Sequence, residues 1–173
     1  WLFESGQFSL PEVRKNYVEP FLGGGAVFFE NQPKNAKLSD ANSKLIELYV
    51  VIRDELEQFE NQLSNHSRNH SKEYYYKVRA TKCTKPATRA AQFLYLNRTC
   101  YNGLYRENLK GQFNVPIGTK DKVIFESDDF PAWSKALKKT VLKSMDFETA
   151  IDEAQDGDFV FVDPPYTVRH NLN

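Results

Sequence analysis

The sequence predicts an α/β fold built on an open parallel sheet, and three observations predict it. First, a short apolar run at 16–21 ends in Gly23-Gly24-Gly25 and leads into the helix-compatible Ala26-Val27-Phe28-Phe29-Glu30, a strand, glycine turn and helix in succession. Second, strand-like and helix-like segments alternate on both sides of a long central stretch. Third, Asp158-Phe159-Val160-Phe161-Val162 is almost wholly apolar, as a parallel strand buried on both faces is. In such a sheet a ligand sits outside the carboxyl ends of the strands, so the residues that follow each strand are the place to look for chemistry.

The elements follow in order. Lys37-Leu38-Ser39-Asp40 reads as a second, short strand. After it Leu45, Ile46, Tyr49, Ile52, Arg53, Leu56 and Phe59 recur at three- and four-residue spacing, which predicts a helix over 42–60. The stretch 61–69 is polar and turn-rich and predicts the edge of an insertion, within which 88–97 again has helical composition. Gly103 and Gly111 punctuate two β-prone runs, 104–108 and 112–116, predicting a hairpin or extended loop. Residues 141–143 then predict a strand, 148–155 a helix and 158–162 the last strand. The domain expectation is a main domain in two parts, 1–59 and 131–173, carrying an inserted lobe over 60–130.

Composition excludes several classes. The 173 residues hold 40% hydrophobic and 14% aromatic side chains, too many for a disordered or collagen-like chain. No run approaches the roughly 18–20 apolar residues of a membrane span, and Trp1-Leu2-Phe3-Glu4-Ser5-Gly6 has no signal-peptide character, so the expected location is cytoplasmic. Cys83 and Cys100 form no Cys-x-x-Cys pair and read as small buried hydrophobes. Net charge is zero, but residues 65–125 carry twelve cations against three acids, interleaved with Tyr74-Tyr75-Tyr76, Tyr95, Tyr101, Tyr105 and Phe113. That pattern suits either a phosphate-gripping, base-stacking surface or a solvated face beside core aromatics.

The sharpest motif is Asp163-Pro164-Pro165-Tyr166, directly after the last strand. An exocyclic amine conjugated to an aromatic ring is a poor nucleophile. A carboxylate and a backbone carbonyl accepting its two N–H groups would localise the lone pair, while an aromatic face holds the ring. Asp163 and the Pro164 carbonyl suit the acceptor roles and Tyr166 the stacking face; the other reading is a simple strand-ending turn. The second motif, Glu19-Pro20-Phe21-Leu22-Gly23-Gly24-Gly25, lets backbone approach a ligand, yet position 28 is Phe28 and the dinucleotide fingerprint is not completed. Asp40, ending the second strand, is placed for a ribose hydroxyl or for capping the next helix. His66 and His70, four apart, lack a third ligand, so no metal site is expected.

On these residues, together with Leu96-Asn97-Arg98, Tyr101-Asn102-Gly103-Leu104-Tyr105-Arg106 and Gly111-Gln112-Phe113-Asn114-Val115-Pro116-Ile117-Gly118, the sequence resembles the Dam-type (D12 class, alpha group) DNA adenine N6-methyltransferases from about Tyr17 to Tyr166. The resemblance implies a Rossmann-like S-adenosylmethionine-dependent methyltransferase fold with an inserted target-recognition lobe, acting on adenine N6 of double-stranded DNA, usually within GATC, in a bacterial, archaeal or phage-infected cell. It places Asp163, Pro164, Pro165 and Tyr166 in catalysis. It places Glu19, Pro20, Phe21, Gly23, Gly25, Asp40, Asp146, Phe147 and Asp163 at the cofactor, with the glycine turn beside its methionine moiety, Asp40 on the ribose, and Asp146 and Phe147 near the adenine.

For DNA, the resemblance assigns Arg106 to a guanine edge and Leu104 to a thymine methyl, with Tyr101 and Asn102 around the extruded adenine. Arg98, Asn108, Asn114 and Lys122 complete the DNA-binding set, the last two as backbone contacts. Neither cysteine follows a proline, which disfavours a covalent cysteine route. The family's aromatic and glycine-lysine element before the first strand is not visible and seven residues follow Tyr166, so the sequence reads as the middle of an enzyme, truncated at both ends. No obligate protein partner is evident. The alternative reading is a remnant that binds DNA or cofactor without turnover.

Overall fold

The computed structural model describes residues 10, 11 and 15–164. Four parallel strands, β1 (Tyr17–Glu19), β2 (Ala36–Asp40), β3 (Val141–Ser144) and β4 (Phe159–Val160), lie side by side in the order β3-β2-β1-β4. Tyr17 stands opposite Ala36 on one side and Phe159 on the other, and Lys37 opposite Val141. The chain therefore moves outward from β1 through β2 to β3 and then returns to the far side of β1 with β4. This reversal of direction between β1 and β4 is the switch point at which open α/β sheets bind ligands.

The aromatic and β-branched Tyr17-Val18 suit a central strand, and Pro20, lacking an N–H, ends it. Gly25 adopts φ 67°, a left-handed conformation open to glycine at little cost, and this turns the chain into α1 (Ala26–Asn31). Tyr17, Val18, Leu22, Phe28, Ala36 and Leu38 are buried around β1 and β2. The strand expected over 158–162 differs from expectation in burial. Phe159 and Val160 are half-buried and Val162 exposed, because β4 is an outer strand among the described residues. α7 (Phe147–Asp152) follows β3 and packs on β2 through the buried Ala150. At the amino-terminal end of β4, Asp158 accepts from the Asn16 amide and side chain at 3.2 and 2.7 Å, joining segments 142 positions apart.

Packing groups the strands, α1 and α7 into one unit, residues 1–42 and 139–173, and residues 43–138 into a second. The second unit is helical. α2 (Ser43–Asp54) and α3 (Leu56–Asn69) lie against α5 (Pro86–Thr99), α4 (Lys72–Ala80) also touches α5, and α6 (Phe130–Leu137) packs on α2.

Two expected elements are corrected here. The predicted helix over 42–60 is broken at Glu55, which has φ −129° and ψ 39°. The polar stretch 61–69 is helix rather than turn: Phe59, Leu63 and His66, spaced four and three apart, form a buried face while the polar side chains line the others. The aromatics of 65–125 divide between the two readings: Tyr75 and Tyr95 are fully buried core, with His66 stacked on Tyr95 at 4.8 Å, Tyr74, Tyr76, Tyr105 and Phe113 are half-buried, and Tyr101 is exposed. His66 Nδ1 meets the Tyr74 hydroxyl and His70 Nδ1 the Tyr95 hydroxyl, each at 2.9 Å. Cys100 is buried as expected, whereas Cys83 is partly exposed. Among the described residues no helix is long and apolar enough to cross a membrane.

Candidate active site

The carboxyl ends of all four strands carry the residues singled out by sequence. After β1, Glu19, Pro20, Phe21 and Gly23 run into Gly25 and α1. After β2 comes Asp40, whose carboxylate accepts from the Gly23 amide at 3.1 Å and the Asn42 amide at 2.9 Å. One side chain thus ties the glycine loop to the end of β2 and caps the chain entering α2, and each oxygen retains a lone pair for a further donor. After β3, Asp146 caps α7 by accepting from the Glu148 amide at 2.9 Å. Phe147 beside it remains substantially exposed and stacks on Phe21 with ring centroids 5.1 Å apart and planes 25° apart. After β4 come Asp163 and Pro164, both exposed. Pro165 and Tyr166 lie outside the described residues.

Glu19 is the exception to this openness. It is 3% exposed, and Tyr17, wholly buried two residues earlier on the same face of β1, donates its hydroxyl to Glu19 Oε2 at 2.7 Å. Burial pushes the Glu19 carboxyl up to about 7, the Tyr17 hydrogen bond draws it down, and the negative charge of Asp163 raises it again. Burial, and the adjacent Glu19, hold the Tyr17 phenol above its ordinary range. Tyr17 was absent from the expected site. Its signal in the sequence is the i, i+2 spacing that puts both side chains on one face of a strand.

Four carboxylates at strand ends, Glu19, Asp40, Asp146 and Asp163, a glycine loop where a Cβ at Gly24 would meet nothing within 4 Å, and an exposed phenylalanine define the chemistry of this corner. Carboxylates accept from ammonium and ribose hydroxyls and sit well beside a positive charge. Backbone N–H groups receive a carboxylate, and an aromatic face receives a purine. The donor set fits S-adenosylmethionine, the cofactor implied by the resemblance.

In the second unit the expected DNA-binding residues separate into two groups. Residues 104–116 form a hairpin-like loop, with Glu107 bridged to Phe113 and Asn108 N–H donating to Gln112 at 2.9 Å. Along its first limb Leu104, Arg106 and Asn108 face solvent while Tyr105 and Glu107 turn inward, the period-two alternation of a strand. Tyr105 and Lys44 both bond Glu107, and Tyr105 packs between Phe93 and Phe113 at 5.2 and 5.6 Å. Tyr101 is 53% and Leu104 56% exposed, and Arg106 Nε donates to Asn114 Oδ1 at 2.8 Å. Asn102, at φ 53°, sits in the single 3-10 turn Tyr101–Gly103 between α5 and the loop.

The other group is engaged within the unit itself. Asn108 Oδ1 closes the loop by accepting from the Lys110 and Gln112 amides. Lys122 pairs at the surface with Glu126 at 2.9 Å. Arg98 departs most from expectation: its guanidinium grips Asp128 through two hydrogen bonds of 2.6 and 2.7 Å and donates to Val123 O, with side chains only 10% and 3% exposed. A fork spent on a buried carboxylate and a carbonyl is not a surface cation, and Arg98 pins the 123–128 loop to α5.

Comparison with known proteins adds an independent finding. A family model described as D12 class N6 adenine-specific DNA methyltransferase matches residues 7–173. The chain is 44% identical over 169 residues to the Type II methyltransferase M1.LlaDCHI of Lactococcus lactis subsp. cremoris, covering 92% of the chain and 60% of that relative. It is 40% identical to the Type II methyltransferase M.MjaIII of Methanocaldococcus jannaschii, covering 88% and 58%. To the DNA adenine methylase of Escherichia coli K12 it is 36% identical, covering 86% and 55%. The chain thus spans 60% or less of the length of these three relatives.

Proposed function

This chain belongs to the D12 class N6 adenine-specific DNA methyltransferase family, and we propose that the protein containing it transfers a methyl group to N6 of adenine in double-stranded DNA, with a GATC core as target. The observation that carries this reading is the placement of Asp163 after β4, close enough to Glu19 at the end of β1 for its charge to act on it, at the sheet's switch point. Its proposed location is the cytoplasm of a bacterial, archaeal or phage-infected cell.

S-adenosylmethionine would supply an electrophilic methyl on its sulfonium; Glu19, Pro20, Phe21, Gly23 and Gly25 would hold the methionine end, Asp40 the ribose, and Phe147 with Asp146 the adenine. The Asp163 carboxylate accepts one N–H of the target amine and the Pro164 carbonyl the other, leaving the nitrogen lone pair free to attack. Pro165 and Tyr166 complete the proposed catalytic motif, Tyr166 as the stacking partner of the flipped base. Direct displacement needs no enzyme nucleophile, only alignment. Residues 60–130 carry target recognition: Arg106 reads a guanine, Leu104 a thymine methyl, and Tyr101 and Asn102 fill the gap left by the adenine. Asn114 orients Arg106, and the hairpin's exposed row presents these groups together.

The test is transfer of labelled methyl by the full-length protein to duplexes carrying GATC, GATATC or a scrambled site. Transfer to GATC alone, lowered at least about a thousandfold in Asp163→Ala, is expected. Transfer to the scrambled duplex at the same rate rejects the GATC target. Silence from a folded protein that still binds cofactor and duplex points to a remnant without turnover.

A further inference from the structure

Glu19 poses a problem that the proposed roles leave open. It is a carboxylate sealed at 3% exposure, beside a second carboxylate, Asp163, and the only hydrogen bond given to it among the described residues comes from Tyr17. Among the described residues, neighbouring elements offer it no cation. Lys37 on β2 turns to Asp158 at the other end of the sheet, 3.7 Å away; Asp40 is occupied by the Gly23 and Asn42 amides; and the titratable side chain of α1, Glu30, is exposed. A buried carboxylate with one donor and no positive neighbour keeps a proton or waits for a cationic ligand.

We infer that Tyr17 is a positioning residue whose hydroxyl holds the Glu19 carboxylate as the receptor for the positively charged sulfonium and ammonium end of S-adenosylmethionine, so that cofactor binding displaces a proton from Glu19 to solvent. This rests on the proposed function, since it presumes that cofactor. The strand supplies the geometry: two side chains on one face of β1, one donor and one acceptor, 2.7 Å apart in a dry site. An ammonium or sulfonium arriving there provides the missing charge, and the proton that balanced Glu19 leaves. The Glu19 carboxyl, standing near 7 without a ligand, makes the exchange fall in an accessible range. The tyrosine acts through the glutamate and touches no reacting atom.

The experiment is calorimetric titration of S-adenosylmethionine into the full-length protein, repeated in two buffers of different ionisation heat. Affinity is expected to rise about tenfold between about pH 5.5 and 7.5, with net proton release at the acid end. In Tyr17→Phe the affinity falls about fivefold near neutrality, and the midpoint of its pH dependence moves up by about one unit, because the hydrogen bond that favours the ionised carboxylate is gone. In Glu19→Gln proton release disappears and the affinity becomes flat with pH. The inference is overturned by wild-type binding without proton release, by release that persists in Glu19→Gln, or by a folded Tyr17→Phe with unchanged affinity and midpoint. If Tyr17→Phe fails to fold, Glu19→Gln decides. A wild-type protein that binds no S-adenosylmethionine overturns the proposed function as well, which separates that failure from the loss of proton linkage alone.

Discussion

Glu19 and His66, one in each unit, are buried titratable side chains whose effects on stability run in opposite directions with pH. Burial draws the His66 imidazole down to about 4, so below its ordinary value the unfolded chain takes up a proton that the folded chain refuses. Stability is lost on that account as pH falls from about 6.5 toward 4. His66→Phe, which keeps the stack on Tyr95 and removes the unpartnered Nε2, is expected to recover about 2 kcal/mol at pH 4.5 relative to pH 7.5. For Glu19 the folded value is raised, so its cost appears as pH climbs from about 4.5 through 7 and remains above it. Glu19→Gln is expected to stabilise by about 2 kcal/mol at pH 8 and to do little at pH 4.5, and urea melts of both variants across pH check the two slopes. At this scale the sequence announced Asp163, Glu19 and Asp40, because each belongs to a short contiguous motif at a strand end. It misled at Arg98, whose partner Asp128 lies thirty positions on and converts a surface-looking cation into a buried clamp.

Elements were legible wherever a local pattern decided them. All four strands are present close to their expected places, because apolar runs, glycine punctuation and Asp-rich ends are local signals. The helix over Leu56–Asn69 was hidden because asparagine, serine and histidine dominate its composition, and only its packing on α5 shows that three side chains suffice for a buried face. The crossing of residues 115–118 over the end of α5 was equally hidden. Tyr75 and Arg79 both donate to Val115 O at 3.0 Å, and Gly118 N–H donates to Thr99 O at 2.8 Å. A Cβ on Gly118 would stand 2.5 Å from the carbonyl oxygen of Cys100 and 2.8 Å from its carbon, so backbone must move. Gly118→Ala is therefore expected to destabilise by about 1–3 kcal/mol, seen as a lower urea midpoint at unchanged slope.

For the whole molecule, zero net charge conceals a division of labour. The excess of cations over acids in 65–125 falls inside the helical unit, leaving the unit that holds the strand-end carboxylates acidic. Acidic walls suit a cationic cofactor, and a basic surface suits a polyanion. If the helical unit holds DNA, affinity for a duplex should fall with salt along a log–log slope steeper than about −3, while cofactor affinity stays nearly level; a flat DNA slope would contradict that assignment.

The placement of β4 beside β1 also dictates an order of events. Helices α2 to α6 assemble from contacts within one continuous stretch, whereas β1 and the outer strand β4 are joined by segments 142 positions apart, whose meeting costs more chain entropy. The helical unit can gather itself while β4 is still unpaired, so the corner between β1 and β4, where Glu19 and Asp163 stand, is expected to form last. In pulsed hydrogen exchange during refolding, amides of α3 and α5 should gain protection before the Phe159 and Phe161 amides that bond β1; simultaneous protection would mean that the two units form as one.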